Sequence, residues 1–84
     1  MSSSPHSLTL GRAQGAPRYF LGDKPVTGGD IVQLCTSGGC ITGRFEWDAG
    51  EGGVPTFFFS VELDGGGVSQ LQLAIPERAL LRWP

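Results

Sequence analysis

Residues 29–48 read GDIVQLCTSGGCITGRFEWD, two alternating runs on either side of a glycine pair. Alternation with period two marks a half-buried strand, and two such runs joined through glycine predict an antiparallel hairpin. With residues 36–39 as the loop, Cys35 faces Cys40, Leu34 faces Ile41, Gln33 faces Thr42 and Val32 faces Gly43. Val32, Leu34, Ile41, Phe45 and Trp47 then share the inner face, while Gln33, Cys35, Cys40, Thr42, Arg44 and Glu46 share the outer, wetted one. Gly43 interrupts the inner row between Ile41 and Phe45. A position without a side chain there predicts a bend where the sheet curls.

A second hairpin spans residues 56–75. Its inner positions are Phe57, Phe59, Val61 and Leu63 on one strand and Leu71, Leu73 and Ile75 on the other. A four-residue loop, 64–67, would set core residues against outward ones, because a slip of one residue turns a strand over. Adding Val68 to the loop restores parity and pairs Leu63 with Ser69, Val61 with Leu71 and Phe59 with Leu73. Upstream, residues 18–21 predict a first strand, and Gly22-Asp23-Lys24-Pro25 a turn that leads through Val26 to Gly28-Gly29-Asp30. Residues 48–55, DAGEGGVP, have no periodicity and predict a mobile loop. IPERAL, at 75–80, is too short for a stable α-helix and predicts one 3₁₀ turn before a closing strand at 80–83. The layout is all-β: an SH3-like small barrel of five to six antiparallel strands.

Residues 1–16 are rich in Ser, Gly, Ala and Pro, with Leu8 and Leu10 as their large apolar side chains, and are expected to form a disordered tail. Residues 17–84 are expected to form the single domain. A core of this size is small, so stability is expected to be marginal, and self-association would both bury more surface and cover sheet edges. No apolar run fits a signal peptide or a membrane span, which makes the cytoplasm the expected location and a membrane partner unexpected. The formal net charge is −2. Arg18, Lys24, Arg44, Arg78 and Arg82 are scattered along the chain, whereas Asp48, Glu51, Glu62 and Asp64 gather in later loops and strand ends. Phosphate backbones are bound by basic stripes, so nucleic acid is a disfavoured partner and a protein, or a second copy of the chain, the expected one.

The run Gly29-Asp30-Ile31-Val32-Gln33-Leu34, followed by Gly38-Gly39, Ile41, Gly43 and Trp47-Asp48, resembles the strand-turn-strand pattern of SH3-like and Sm-like small barrels. That resemblance implies binding of RNA, of peptides or of one barrel by another. The second Sm signature, a basic or polar-glycine pair in the later strands, has no counterpart here. From Arg18-Tyr19-Phe20-Leu21 through GRFEW to Pro76-Glu77-Arg78-Ala79-Leu80 the chain is also similar to small uncharacterised bacterial proteins of mobile elements, which implies an accessory role there. Gln70-Leu71-Gln72-Leu73 resembles the Val-Gln-Ile-Tyr pore stretch of the plasmid-borne, trimethoprim-resistant dihydrofolate reductase, an SH3-like tetramer. Leucine stands here in the place of that family's tyrosine. The likeness implies an oligomeric pore enzyme as an alternative function.

Cys35 and Cys40 face each other at the mouth of the first hairpin. Reduced thiols are the expectation for a cytosolic protein, and a disulfide closing a very short loop is the alternative. A metal site would need further ligands, and the one histidine, His6, lies in the expected tail, so neither metal nor cofactor is expected. His6 is equally ill placed for nucleophilic catalysis, which requires groups held in position. The acidic pairs Asp48 with Glu51 and Glu62 with Asp64 read as solubilising strand-end charges, and the glycine clusters, which precede no helix and no Gly-Lys-Ser/Thr, as turns.

The outer face carries the remaining candidates. Phe58 projects away from the core between Thr56 and Ser60, opposite Ala74 in the expected register. With Arg44 and Gln72 it forms the expected partner-binding surface, and Phe20 and Trp83 are further candidates. The expected function is a non-enzymatic protein-binding or self-assembling module, with a nucleic-acid-binding small barrel as one alternative and the pore enzyme as the other.

Overall fold

The computed structural model describes residues 4–48 and 53–84. Its eight strands fall into two antiparallel sheets, and among the described residues there is no helix, hence none long and apolar enough to cross a membrane. The smaller sheet joins β1 (Thr9–Ala13), β2 (Ala16–Leu21) and β3 (Lys24–Val26) in chain order. The larger contains β4 (Ile31–Thr36), β5 (Gly39–Glu46), β6 (Thr56–Glu62), β7 (Val68–Ala74) and β8 (Leu80–Arg82), arranged β7-β6-β5-β4-β8.

The first hairpin has the expected register: Cys35↔Cys40, Leu34↔Ile41, Gln33↔Thr42 and Val32↔Gly43. Pairing continues one step further, to Thr36↔Gly39, so that Ser37 and Gly38 alone make the turn. The Thr36 hydroxyl closes it, accepting from the Gly38 amide at 3.2 Å and donating to the Gly39 carbonyl at 3.1 Å. The second hairpin keeps the expected faces but sits two residues from the expected register: Val61 faces Ser69, Phe59 faces Leu71, Phe57 faces Leu73, and Phe58 faces Gln72 rather than Ala74. A shift of two preserves parity, so alternation alone could not detect it. The loop settles it: the Leu63 amide donates to the Gly67 carbonyl at 2.7 Å and the Gly66 amide to the Leu63 carbonyl at 2.9 Å, which draws Val68 into the ladder opposite Glu62.

The expected barrel does not close. β7 and β8 lie at opposite edges of the larger sheet. β5 pairs with β6 only from Arg44↔Phe58 to Glu46↔Thr56, then diverges at Gly43 and follows β4 instead. An ideal Cβ on Gly43 would collide with the Phe58 carbonyl oxygen and stand 2.8 Å from Cε1 of Phe57, so the backbone lies directly on that ring. The smaller sheet covers the inner face in place of closure. Leu21 and Val26 from it meet Val32, Leu34, Phe45, Phe57, Ile75 and Leu81 in one buried cluster. Tyr19 lies edge-on to Phe45 and Trp47, at 6.5 and 4.6 Å between ring centres.

The first sixteen residues are not a tail throughout, and this corrects the sequence-based boundary. Thr9–Ala13 is β1, paired with β2 from Thr9↔Phe20 to Ala13↔Ala16. Gln14 and Gly15 form the two-residue turn with φ of 55° and 81°, the positive pair that a twisted hairpin takes. Leu8 packs against the core, and the His6 backbone exchanges hydrogen bonds with Leu81 at 2.7 and 2.8 Å. Near the other end, the Ala79 amide donates to the Pro76 carbonyl at 3.1 Å, one hydrogen-bonded turn before β8. Residues 49–52 of the expected mobile loop lie outside the described residues.

Cover by the smaller sheet is partial. Of the expected inner residues, Val32, Leu34, Phe45, Phe57 and Ile75 are buried, but Ile41, Leu63, Leu71 and Leu73 are 40% exposed or more. Their exposure marks the part of the inner face that stays uncovered, in a molecule measuring 48 × 30 × 19 Å.

Candidate functional site

Antiparallel pairing aligns Ile31 on β4 with Arg44 on β5, Arg44 with Phe58 on β6, and Phe58 with Gln72 on β7. Four neighbouring strands thus contribute one side chain each to a transverse row on the outer face of the larger sheet. Arg44, Phe58 and Gln72 were expected on one surface, and the corrected register makes them direct neighbours. The Arg44 guanidinium carbon lies 4.9 Å from the centre of the Phe58 ring, within cation–π range. Its Nε lies 3.0 Å from Oε2 of Glu46, two residues along the same face. That contact is an ion pair without hydrogen-bond alignment, since Arg44 Nε is buried and finds no hydrogen-bond acceptor. Both side chains are about two-fifths exposed, so the pair holds Arg44 in place more than it stabilises the fold.

A polar ladder flanks the row. Arg82 Nε donates to Oε1 of Gln33 at 2.6 Å, and Gln33 Nε2 donates to the Thr42 hydroxyl at 3.1 Å, joining β8, β4 and β5. Further along the same face Cys35 and Cys40 are joined as a disulfide, with Leu80 opposite Cys35 and 46% exposed. The outer face therefore has an Arg–aromatic centre, an uncharged amide-rich side at Gln72 and Gln70, and a covalently tied hairpin end.

Phe20 and Trp83 are not part of this row. Phe20 lies on β2 with its ring against Gly11, where an added Cβ would stand 3.1 Å from Cε1, so a cross-strand neighbour half buries it. Trp83 fastens the chain end: its indole Nε1 donates to the Leu21 carbonyl at 3.1 Å, and Lys24 Nζ sits 4.6 Å from its ring centre. Ile31, 50% exposed, is a member of the row that the sequence reading passed over. The signal was present, since an inward Val32 forces Ile31 outward.

A groove of about 410 Å³ opens elsewhere, between Leu8 and Leu10 on one side and Val54, Pro55, Ile75 and Pro76 on the other, with Tyr19 and Glu77 as its ionisable groups. Among the described residues no group of three or more His, Cys, Asp or Glu side chains is placed to hold a metal ion. Glu62 and Asp64 are exposed, and Glu51 lies outside the described residues. Set beside known proteins, the chain matches no family model, no curated protein and no solved structure.

Proposed function

We propose that this chain is a non-enzymatic protein-binding module that docks its partner on the row Ile31, Arg44, Phe58 and Gln72. The observation that carries the reading is the guanidinium of Arg44 over the Phe58 ring, ion-paired with Glu46 two residues along the strand and flanked by an exposed isoleucine and an amide. Arginine and aromatic side chains dominate binding energy when a partner desolvates them, and a polar rim is their usual surround. The complementary surface is an apolar side chain to cover Phe58 and Ile31, with an amide or carbonyl to meet Gln72. Phosphate is the poorer fit, because Arg44 is engaged by a carboxylate, Arg82 by Gln33, and the chain is acidic overall.

In this reading the larger sheet is an opened relative of the SH3-like arrangement. The meander order β7-β6-β5-β4-β8 and the long β5, which leaves β6 at Gly43 and continues along β4, support that view. The test is Phe58→Ala, at a position outside the buried core. The variant should keep its unfolding midpoint near that of the wild type and lose partner binding by on the order of 30-fold, as a central aromatic contact does. A folded Phe58→Ala protein that retains every partner of the wild type would refute the assignment.

A further inference from the structure

We propose that β7 is the pairing edge for a second copy of this chain, two β7 strands aligning antiparallel about a two-fold axis centred on Leu71. This stands independently of the outer-face row and names the surface through which the expected self-association would act.

Two sheets have four edges, and three are blunted. β1 carries Arg12, β3 is three residues long and contains Lys24 and Pro25, and β8 is met by the His6 backbone. These are common devices against unwanted strand pairing. β7 is different: VSQLQLA is seven residues long, has no charge and no proline, and among the described residues nothing pairs with its outer side. Its free groups follow from the ladder. The Leu63–Gly67 and Pro55–Ile75 hydrogen bonds mark odd-numbered residues of this strand as those whose N–H and C=O point toward β6. Val68, Gln70, Gln72 and Ala74 therefore direct their N–H and C=O groups outward.

The occupant follows from the chemistry of the edge. An uncharged strand bearing alternate leucine and glutamine fits an identical strand without like-charge repulsion, and antiparallel self-pairing closes at two copies. The register with full overlap sets Val68 against Ala74 of the other copy and Gln70 against Gln72, satisfying every outward N–H and C=O. It places Leu71 beside Leu71 at the dyad, and Leu73 beside Ser69. Leu71 and Leu73, 45% and 40% exposed in one copy, then adjoin the same face of the other. Val68, 68% exposed, lies at the end of the paired strands on the opposite face. The two larger sheets become one continuous sheet.

The register gives a direct test. In an antiparallel pair the residues of a non-hydrogen-bonded couple stand about 4.5 Å apart at Cα, within disulfide reach. Leu71→Cys should therefore cross-link to a covalent dimer under mild oxidation. Leu73→Cys, which faces Ser69 rather than itself, should do so at least 10-fold less, with the wild-type chain as the blank. Light scattering on the wild type should give twice the chain mass. Gln70→Pro removes an N–H that the monomer does not use, and should return the mass to one chain with unfolding little changed. If that proline unfolds the protein, the cysteine pair still decides. A wild type that stays monomeric at high concentration, a folded Gln70→Pro dimer, or equal cross-linking at positions 71 and 73 would each overturn the proposal.

Discussion

Replacing Gly43 by alanine sets two effects of opposite sign against each other. Alanine restricts the unfolded chain and suits a strand better than glycine, a gain of about 0.5–1 kcal/mol. Against it stands the collision of the new methyl group with the Phe58 carbonyl and with the Phe57 ring, 2.8 Å away at Cε1. Neither obstacle yields cheaply: the carbonyl belongs to the ladder residue opposite Arg44, and Phe57 is fully buried. Overpacking of this kind costs about 1–3 kcal/mol, and the upper end applies where backbone must move. The net expectation is a loss of about 2 kcal/mol. At about 4–8 °C for each kcal/mol in a domain of this size, the melting temperature should fall by about 8–16 °C. Thermal unfolding followed by circular dichroism measures it, with Gly65→Ala as the control, since a Cβ there meets nothing within 4 Å and φ is not positive. A Gly43→Ala protein that melts at or above the wild-type temperature would show that β5 does not lie on Phe57 and that the parting of β5 from β6 has another cause.

Removal of residues 1–8 should destabilise the protein by on the order of 2 kcal/mol in urea titration, because it strips both His6–Leu81 hydrogen bonds and the packed Leu8. An unchanged midpoint would return this segment to the status of a tail. Thiol titration of the unreduced, denatured protein should find Cys35 and Cys40 unreactive until reductant is added. Reduction should lower stability by no more than about 2 kcal/mol, the ceiling for so short a closed loop.

The sequence was informative wherever one parity choice decided the matter. In the first hairpin, four pairings and the inward set Val32, Leu34 and Phe45 follow from alternation around Gly38-Gly39. Parity was blind to the second hairpin's register, because moving Phe58 from Ala74 to Gln72 changes no face. It was equally blind to cover: Ile41, Leu71 and Leu73 point inward as expected, yet the smaller sheet does not reach them. That sheet was itself half hidden. TLGRA holds one large apolar residue, Leu10, so composition argued for a tail, while the stronger cue was Gln14-Gly15 set between two runs of strand length. At the site, Arg44, Phe58 and Gln72 were legible as outward residues, but their contact depends on a β6–β7 register that alternation does not fix.

The paired hydrogen bonds between His6 and Leu81 also bear on how freely this chain could be rewired. They bring the first and last described stretches side by side across a single ladder step, so a short linker could join the two ends. New ends could then be opened at Gly65 and Gly66, an exposed tip of small residues whose loss of continuity would leave both sheets intact. The order in which the strands are strung together is thus separable from the way they pair. A circularly permuted chain would present the same outer face with its termini moved to the far end of the β6–β7 hairpin.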